Sequence, residues 1–179
     1  MKKLIAVSVT ALVMTGCAAS LGPSPKANAV AAVKQVVEPA PEFMAKVALM
    51  AKAHRIQKVV NRLEKRVGKT WYVFSGSTPR GWDCSGLVYW TYQQLGIEVP
   101  HSANKQGHLA KGVKDPKVGD IVVWGYKGSK SYYHAGIYIG DGKAIHAGFR
   151  KGTSTQIISL SSAAFKHSTV KFVRLIETL

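Results

Sequence analysis

The sequence predicts a single α+β domain, and three observations support this fold class. Hydrophobic residues recur at helical spacing from about residue 41 to 68, and a second helical pattern covers residues 83–95. After Gly96 the pattern changes to short alternating segments that are typical of strands. The chain has 179 residues, of which 46% are hydrophobic, so it can bury the core of one such domain.

The first predicted helix carries an apolar stripe and a separate basic stripe. The residues at core-facing spacing are Ile56, Val59, Val60, Leu63 and Val67. The basic stripe consists of Arg55, Lys58, Arg62, Lys65, Arg66 and Lys69. Residues 45–70 hold eight basic residues against Glu64, which is nearly half of the net charge of +16. The basic stripe is a solvated helix face or a contact surface for an anionic polymer, and both interpretations can hold together.

The second predicted helix and the hairpin that follows it have clear boundary signals. Asp83 has the side chain of an N-cap, and Gly96 is suited to ending a helix. The Asp141-Gly142 pair between two apolar runs predicts a tight hairpin turn. Five strands are predicted in all, at residues 120–124, 134–139, 144–147, 156–160 and 170–176.

The N-terminus has the three-part pattern of a bacterial secretory signal. Met1-Lys2-Lys3 is positive, residues 4–14 form an uncharged and mostly apolar run, and small residues follow. The apolar run is too short to cross a bilayer of about 30 Å. The pattern therefore predicts export, and a buried N-terminal helix is the alternative.

A short segment at the end of this signal resembles a bacterial lipobox, Val13-Met14-Thr15-Gly16-Cys17. In a lipobox the cysteine is acylated and becomes the first residue of the mature protein. Met14 stands where leucine is most frequent, and ordinary cleavage near Ala19 is the alternative. The predicted location is the bacterial cell envelope, with a lipid anchor on Cys17 in the membrane. A secreted or soluble periplasmic protein is the second possibility.

The net charge and the cysteine count exclude several classes of protein. A charge of +16 favours an anionic partner, such as nucleic acid, anionic lipid or a cell-wall polymer, and the export signal excludes nucleic acid. Two cysteines cannot form a disulfide-rich scaffold or a four-cysteine zinc site. No close-spaced ligand pair accompanies Cys84, His134 and His146, and no glycine-rich phosphate loop is present. No metal or cofactor is therefore predicted.

Three residues form a candidate catalytic group. Cys84 stands at the predicted start of the second helix, where free N–H groups and the helix dipole favour a thiolate. His134 and His146 lie in the two strands of the hairpin, nearly opposite or one pair offset, so one imidazole can orient the other. The group supplies a nucleophile, a base and an orienting residue. The alternative is that each histidine is a partly exposed strand residue.

Six ordered segments resemble the NlpC-type cell-wall peptidases, a family of papain-like cysteine peptidases. They are residues 72–76, 81–88, 96–102 with Gln106, 118–122, 134–140 and 145–147. The resemblance covers about residues 55–176. It implies a papain-like α+β fold in which the cysteine helix packs on an antiparallel sheet, with the basic helix before it. The predicted domains are a signal peptide at 1–16, a lipidated tether at 17–41 and an NlpC-type peptidase domain at 42–179.

The resemblance also implies an activity, namely hydrolysis of amide bonds in peptidoglycan stem peptides, commonly between D-γ-glutamyl and a diamino acid. Cys84 would attack the carbonyl, His134 would act as base and then acid, and His146 would orient His134. Tyr72 would lie near the oxyanion, together with the backbone N–H of Cys84. Asp83 and Ser85 would contact the substrate or, equally, serve only as helix cap and first-turn residue.

The sequence departs from the family pattern at three positions. Val118 replaces a common proline, Ser75 stands where glycine is common, and His101 stands where arginine is frequent. The basic and aromatic segment 126–133 is a loop over the groove or a plain surface hairpin. The predicted protein is a monomer that acts on stem peptides and contacts anionic polymer or lipid. The alternatives are a non-catalytic wall-binding lipoprotein, a related amidase or acyltransferase, and a wall-degrading toxin on the same fold.

Overall fold

A computed structural model of the chain describes residues 40–148 and 152–176. The predicted signal peptide, Cys17 and most of the predicted tether lie outside the described residues, so the domain boundaries at 1–16 and 17–41 stay predictions. Within the described part, no helix combines the length and the hydrophobicity that a bilayer crossing requires.

The described residues form three α-helices, one 3₁₀ helix and eight strands. The helices are α1 Pro41–Glu64, α2 Cys84–Gln93, α3 Ala103–Gly107 and the 3₁₀ helix Ala163–Phe165. The strands are β1 Ser77–Thr78, β2 Gly81–Trp82, β3 Gly112–Val113, β4 Ile121–Tyr126, β5 Tyr132–Gly140, β6 Lys143–His146, β7 Gln156–Ser159 and β8 Ser168–Val173.

Six of these strands form one antiparallel sheet in the order β3-β8-β4-β5-β6-β7, and β1 and β2 form a separate pair. Strand β4 is buried on both faces of the sheet. Ile121 and Val123 join the core under α2, whereas Val122 and Trp124 join a second cluster on the opposite face. The predicted α+β fold, with the cysteine helix on an antiparallel sheet, is confirmed.

Helix α1 packs on the domain only through its C-terminal part. Val59, Val60 and Leu63 are buried, and Ile56 and Val67 pack against the same core, as the apolar stripe predicts. The six residues of the basic stripe are all exposed. The whole first part of the helix, residues 41–51, is also exposed. The start of α1 therefore extends beyond the described core.

Helix α2 has the N-cap and the glycine stop that the sequence predicts, although it ends at Gln93 instead of residue 95. The Asp83 side chain accepts a hydrogen bond from the Gly86 amide at 2.7 Å, which is the expected N-cap. Gly96 has a φ of 77°, in the left-handed region, and the Ile97 amide donates to the Tyr92 carbonyl at 3.0 Å. Hydrogen bonds within a few residues therefore define both ends of α2.

A buried ion pair holds the turn before β4. Asp120 accepts hydrogen bonds from two guanidinium nitrogens of Arg174, at 3.0 and 2.8 Å, and one from the Lys117 amide. Gly119 has a φ of 96°, and its carbonyl accepts from the Tyr92 hydroxyl of α2 at 2.9 Å. The Gly-Asp pair of this motif thus joins the cysteine helix to the sheet, and Val118 does not disturb it.

Two features of the sheet differ from the sequence prediction. The last strand ends at Val173 instead of residue 176, because its partner β4 begins at Ile121, which lies opposite Val173. The short strands β1, β2 and β3 and the helix α3 were not predicted, since two to five residues give no readable periodicity. The segment between β4 and β5 is an exposed hairpin loop. At its base, Tyr126 at the end of β4 stacks on Tyr133 in β5 with ring centroids 4.6 Å apart.

Candidate active site

Cys84 is the first residue of α2 and is partly exposed. Backbone hydrogen bonds from Ala135, from Ser85 and from Cys84 itself reach its sulfur, and each lowers the pKa of the thiol. Ala135 directly follows His134 on β5. The N-terminus of α2 and the middle of the sheet therefore meet at the thiol, as the predicted group requires.

The two predicted histidines are buried and in direct contact. His134 Nε2 lies 2.9 Å from His146 Nδ1, and the two rings meet nearly edge to face with centroids 5.0 Å apart. If His134 Nε2–H donates to His146 Nδ1, the other nitrogen of His134 is left without a proton and can act as a base. The interpretation of the histidines as partly exposed strand residues is wrong, since they are only 3% and 0% exposed.

A β-bulge brings the two imidazoles to one face of the sheet. The turn pairs Gly140 with Lys143, but Tyr138 pairs with Ala144 and Ile137 with Ile145, so Ile139 is an extra residue. Continuing this register places His146 opposite residue 136, two residues from His134 and on the same face. Without the bulge the offset would be three residues and the rings would face opposite sides. The predicted offset of at most one pair is therefore wrong.

Gly136 provides the space that the two rings need. A Cβ atom at this position would lie 2.6 Å from the Ile145 carbonyl oxygen and 3.2 Å from His146 Cβ. Only glycine allows β5 and β6 to approach this closely beside the histidine pair.

Two aromatic residues cover the histidine pair, and the sequence prediction assigned neither of them to the histidines. Trp124 lies opposite His134 in the sheet, with ring centroids 5.3 Å apart, and Phe165 lies 6.1 Å from the same ring. Trp124 and Phe165 stack on each other at 4.4 Å. They exclude water from the imidazoles, and that burial sets the protonation of the site.

Burial keeps the thiol and both imidazoles neutral in the resting site. Burial, and next the Asp83 carboxylate, raise the pKa of Cys84 to about 11. Burial and the neighbouring His146 lower the pKa of His134 to about 3. Burial lowers the pKa of His146 to about 4, against the opposite effect of a hydrogen bond with the backbone of Ala147. The expectation that the helix N-terminus produces a thiolate is therefore wrong for the resting site, because desolvation outweighs the N–H groups.

Tyr72 lies beside the thiol. Its amide donates to the Thr153 carbonyl at 2.8 Å, and a bridge joins its backbone to that of Trp82. Burial raises the pKa of the Tyr72 hydroxyl most, and the negative charges of ionised Cys84 and of Asp83 raise it further. The hydroxyl thus keeps its proton and can donate a hydrogen bond to an oxyanion that forms at Cys84.

Asp83 and Ser85 make structural contacts. Asp83 Oδ1 accepts from the Gly86 amide, from the Ser85 hydroxyl at 2.9 Å and from His101 Nε2 at 3.0 Å. Asp83 Oδ2 accepts from the Ser75 amide at 3.0 Å. Both carboxylate oxygens and the Ser85 hydroxyl are used within the protein, which favours the cap and first-turn roles over substrate contact.

The departures at Ser75 and His101 have a common explanation in this network. Ser75 has a φ of 57°, in the left-handed region that favours glycine, and its amide points at Asp83. His101 stacks on Tyr89 with ring centroids 5.9 Å apart and binds the same carboxylate. Both residues hold Asp83, so the segment that carries Tyr72 is fixed against the start of α2.

Two buried polar residues support the site from behind, and sequence reasoning gave neither a role. Gln106 donates from Nε2 to the carbonyl of Ser85 at 2.9 Å, which fixes the first turn of α2 to α3. Thr155 accepts a hydrogen bond from the Trp82 indole at 2.8 Å and donates to the Thr70 carbonyl. No group of three His, Cys, Asp or Glu residues that could hold a metal ion occurs among residues 40–148 and 152–176.

The fold and this site define a papain-like domain with a Cys–His–His group at the start of a helix. A model of the NlpC/P60 family matches residues 68–174, which is more than half of the chain. The chain belongs to the NlpC/P60 family. It superimposes on the structure of an NlpC/P60 family protein from Bacillus cereus ATCC 10987 with a TM-score of 0.61 and 26% identity, over 68% of this chain and 40% of that one.

Two curated relatives share the same region. The chain is 41% identical over 118 residues to murein DD-endopeptidase MepH of Escherichia coli (strain K12), which covers 62% of this chain and 43% of MepH. It is 33% identical over 98 residues to gamma-D-glutamyl-L-lysine dipeptidyl-peptidase of Bacillus subtilis (strain 168), which covers 53% of this chain and 33% of that protein. The chain thus spans less than half the length of either relative.

Proposed function

We propose that the chain is a cysteine peptidase that hydrolyses amide bonds in peptidoglycan stem peptides. The observation that carries the proposal is the Cys84 thiol at the start of α2, which contacts the backbone of Ala135, the residue directly after His134 of the buried His134–His146 pair. Two relatives of the domain are named as enzymes that act on murein or on γ-D-glutamyl peptides.

The proposed reaction uses the three residues in the predicted roles. His134 takes the Cys84 proton while the sulfur attacks the amide carbonyl, so that a C–S bond forms and the carbonyl becomes an oxyanion. Backbone N–H of Cys84 and the Tyr72 hydroxyl donate to that oxyanion. Collapse of the intermediate breaks the C–N bond, and protonated His134 returns its proton to the departing amine. Water then hydrolyses the thioester with His134 as base.

The role of His146 follows from its contact with His134. A hydrogen bond from His134 Nε2–H to His146 Nδ1 selects one tautomer of the base and fixes its ring plane. His146 therefore acts through His134 and does not itself contact the substrate in this scheme.

The proposed scissile bond joins D-γ-glutamyl to a diamino acid. The likeness to the dipeptidyl-peptidase favours this bond, whereas the greater identity to MepH favours the cross-link between two stem peptides as a second candidate. Purified chain should be incubated with muropeptides under reducing conditions, and the products should be identified by mass spectrometry. Cleavage within a single stem supports the first bond, and separation of cross-linked dimers supports the second. Intact muropeptides would refute the enzyme proposal.

Substitutions separate catalysis from mere binding to the wall. Cys84→Ala, His134→Ala and His146→Ala should each abolish cleavage while the protein stays folded by circular dichroism. If the Cys84→Ala variant retains the biological activity of the unsubstituted protein, the protein is instead a non-catalytic wall-binding lipoprotein. An amidase, an acyltransferase or a toxin on the same fold would give different products or a different target wall in the same assay.

We also propose that the chain is exported, acylated at Cys17 and tethered to the membrane as a monomer. The lipobox-like segment supports the anchor, and the predicted tether at 17–41 gives the domain reach into the wall. Mass spectrometry of the mature N-terminus should show the added lipid, and Cys17→Ser should release the protein from the membrane fraction. An N-terminus at residue 20 without lipid would contradict this anchor.

A further inference from the structure

The start of α1 is an exposed apolar surface that the described core does not cover. Its large apolar side chains are between 43% and 66% exposed. They are Phe43, Met44, Val47, Leu49 and Met50. At about 100° per residue, Phe43, Val47 and Met50 share one face over about two turns of the helix, Met44 lies beside that face, and Leu49 lies on the side of the core-facing stripe. Three large apolar side chains on one exposed face differ from the single scattered hydrophobic residues of an ordinary surface. This apolar surface needs an apolar partner, since water is a poor one.

The same face of α1 becomes basic further along the helix. At about 100° per residue, positions 43, 47, 50, 58 and 65 fall within an arc of about 80°. Residues 43 to 50 occupy about 10 Å of the helix axis, and Lys58 and Lys65 follow on the same face. Arg55 and Arg62 flank this face, and all four cations are exposed. The surface is thus divided along the helix axis into an apolar half and a basic half.

We infer that this face of α1 docks on an anionic lipid bilayer, with the apolar half in the interface and the basic half at the headgroups. The inference is separate from the proposed peptidase activity, because it uses no residue of the active site. An interfacial helix lies in the plane of the membrane and buries its apolar face about 5–10 Å into the boundary between headgroups and acyl chains, which is the environment that Phe43, Val47 and Met50 would enter. Cations just outside an apolar segment match the negative surface of anionic lipid.

Charge complementarity favours lipid over the other possible occupants. A wall polymer of sugar and phosphate could bind the lysines but would leave the apolar half in water. A second copy of the chain in parallel orientation would place Lys58 and Lys65 against their own copies, and an antiparallel copy would bury these cations against Val47 and Met50. Only an anionic amphiphilic surface satisfies both halves at once. The predicted acyl anchor on Cys17 precedes α1 in the chain and would hold it at such a surface.

The test measures insertion of α1 itself. The full chain carries Cys17→Ser and Cys84→Ala, which remove the anchor and the native thiols, and an environment-sensitive fluorophore is attached to Val47→Cys. A matched probe at Asn61→Cys lies on the same face but in the basic half. With phosphatidylglycerol vesicles, the probe at 47 should shift to the blue and be quenched by brominated acyl chains. The probe at 61 should not be quenched, and phosphatidylcholine vesicles should have a much weaker effect.

The contribution of charge is tested with matched lysine variants. Lys58→Gln with Lys65→Gln should weaken partitioning onto phosphatidylglycerol vesicles by about tenfold or more, since each cation near the surface contributes several-fold. Lys127→Gln with Lys130→Gln removes the same charge from the exposed loop between β4 and β5 and should have little effect. If both double variants lose the same amount of partitioning onto these vesicles, binding depends only on the net charge of the protein, and docking by α1 is refuted.

Three other results would overturn the inference. A probe at 47 that stays in water with every vesicle excludes insertion. A blue shift that appears without vesicles and grows with protein concentration identifies a second copy as the partner. Binding of the chain to purified sacculi, together with an unchanged probe at 47 on phosphatidylglycerol vesicles, assigns the surface to wall polymer instead.

Discussion

The substitution Gly136→Ala should separate the geometry of the histidine pair from the stability of the domain. Gly136 has no left-handed φ, so alanine can adopt its backbone conformation. The new Cβ would lie 2.6 Å from the Ile145 carbonyl oxygen, whereas ordinary contact begins at 3.4 Å. The two strands must therefore separate by about 0.8 Å (3.4 minus 2.6) at the position of His146.

The expected loss is much larger in catalysis than in folding. Overpacking of this kind costs about 1–3 kcal/mol in the free energy of unfolding, which a domain of this size can tolerate. A shift approaching 1 Å in a catalytic contact can lower the rate by about 100-fold. Because the strand movement displaces His146 from His134, we expect kcat/KM on muropeptides to fall by about 30- to 100-fold.

The assay compares two glycine variants. Gly136→Ala and Gly112→Ala are purified, their unfolding is followed by urea titration, and turnover is measured per mole of folded protein. Gly112 lies in β3 at the far edge of the sheet, and a Cβ there meets only the flexible side chain of Lys171 at 3.3 Å. The control should keep full activity. A folded Gly136→Ala protein with the turnover of the control would refute the requirement for close contact between the two imidazoles.

Three further predictions test the site. His146→Asn should retain more turnover than His146→Ala, because an amide oxygen can accept from His134 Nε2–H and a methyl group cannot; equal rates would contradict the orienting role. Ser75→Gly should raise the free energy of unfolding by about 1 kcal/mol in urea titration, because it removes a left-handed serine and keeps the amide that binds Asp83. The raised pKa of Cys84 predicts that its alkylation by iodoacetamide accelerates with rising pH through the alkaline range; a rate that levels off below neutral pH would reveal a thiolate at rest.

The elements with local signals were predictable from the sequence. Asp83 and Gly96 define the ends of α2 through contacts within a few residues, and the Asp141-Gly142 turn adopts positive φ at both positions, 49° and 64°. The approach of Cys84 to the hairpin also followed from motif order. The ends of α2 and the turn depend on side chains that are neighbours in the chain, whereas the place of Cys84 beside the hairpin was implied by the resemblance to the family.

The parts that sequence reasoning missed depend on contacts across the fold. The bulge at Ile139 changes the register of the histidines; Gly140 directly after it has a φ of 96° and was a local signal of a bulge that the sequence prediction did not use. Trp124 and Phe165 meet behind the imidazoles from β4 and the 3₁₀ helix, so their effect on protonation required the assembled sheet. The thiolate expectation failed for the same reason, since helix position can be read from sequence and desolvation cannot.

The resting protonation of the site connects its fold to its proposed chemistry. The Asp83 carboxylate holds the Ser75 amide and the first turn of α2, yet its charge also disfavours the Cys84 thiolate. Asp83 therefore keeps the N–H donors in place, but it also keeps the Cys84 thiol protonated in the resting site. Proton transfer to His134 becomes favourable only when negative charge moves onto a substrate oxyanion among those donors. Since the thiolate is the form that oxidants attack, a neutral Cys84 is also protected in the oxidising envelope proposed for this protein.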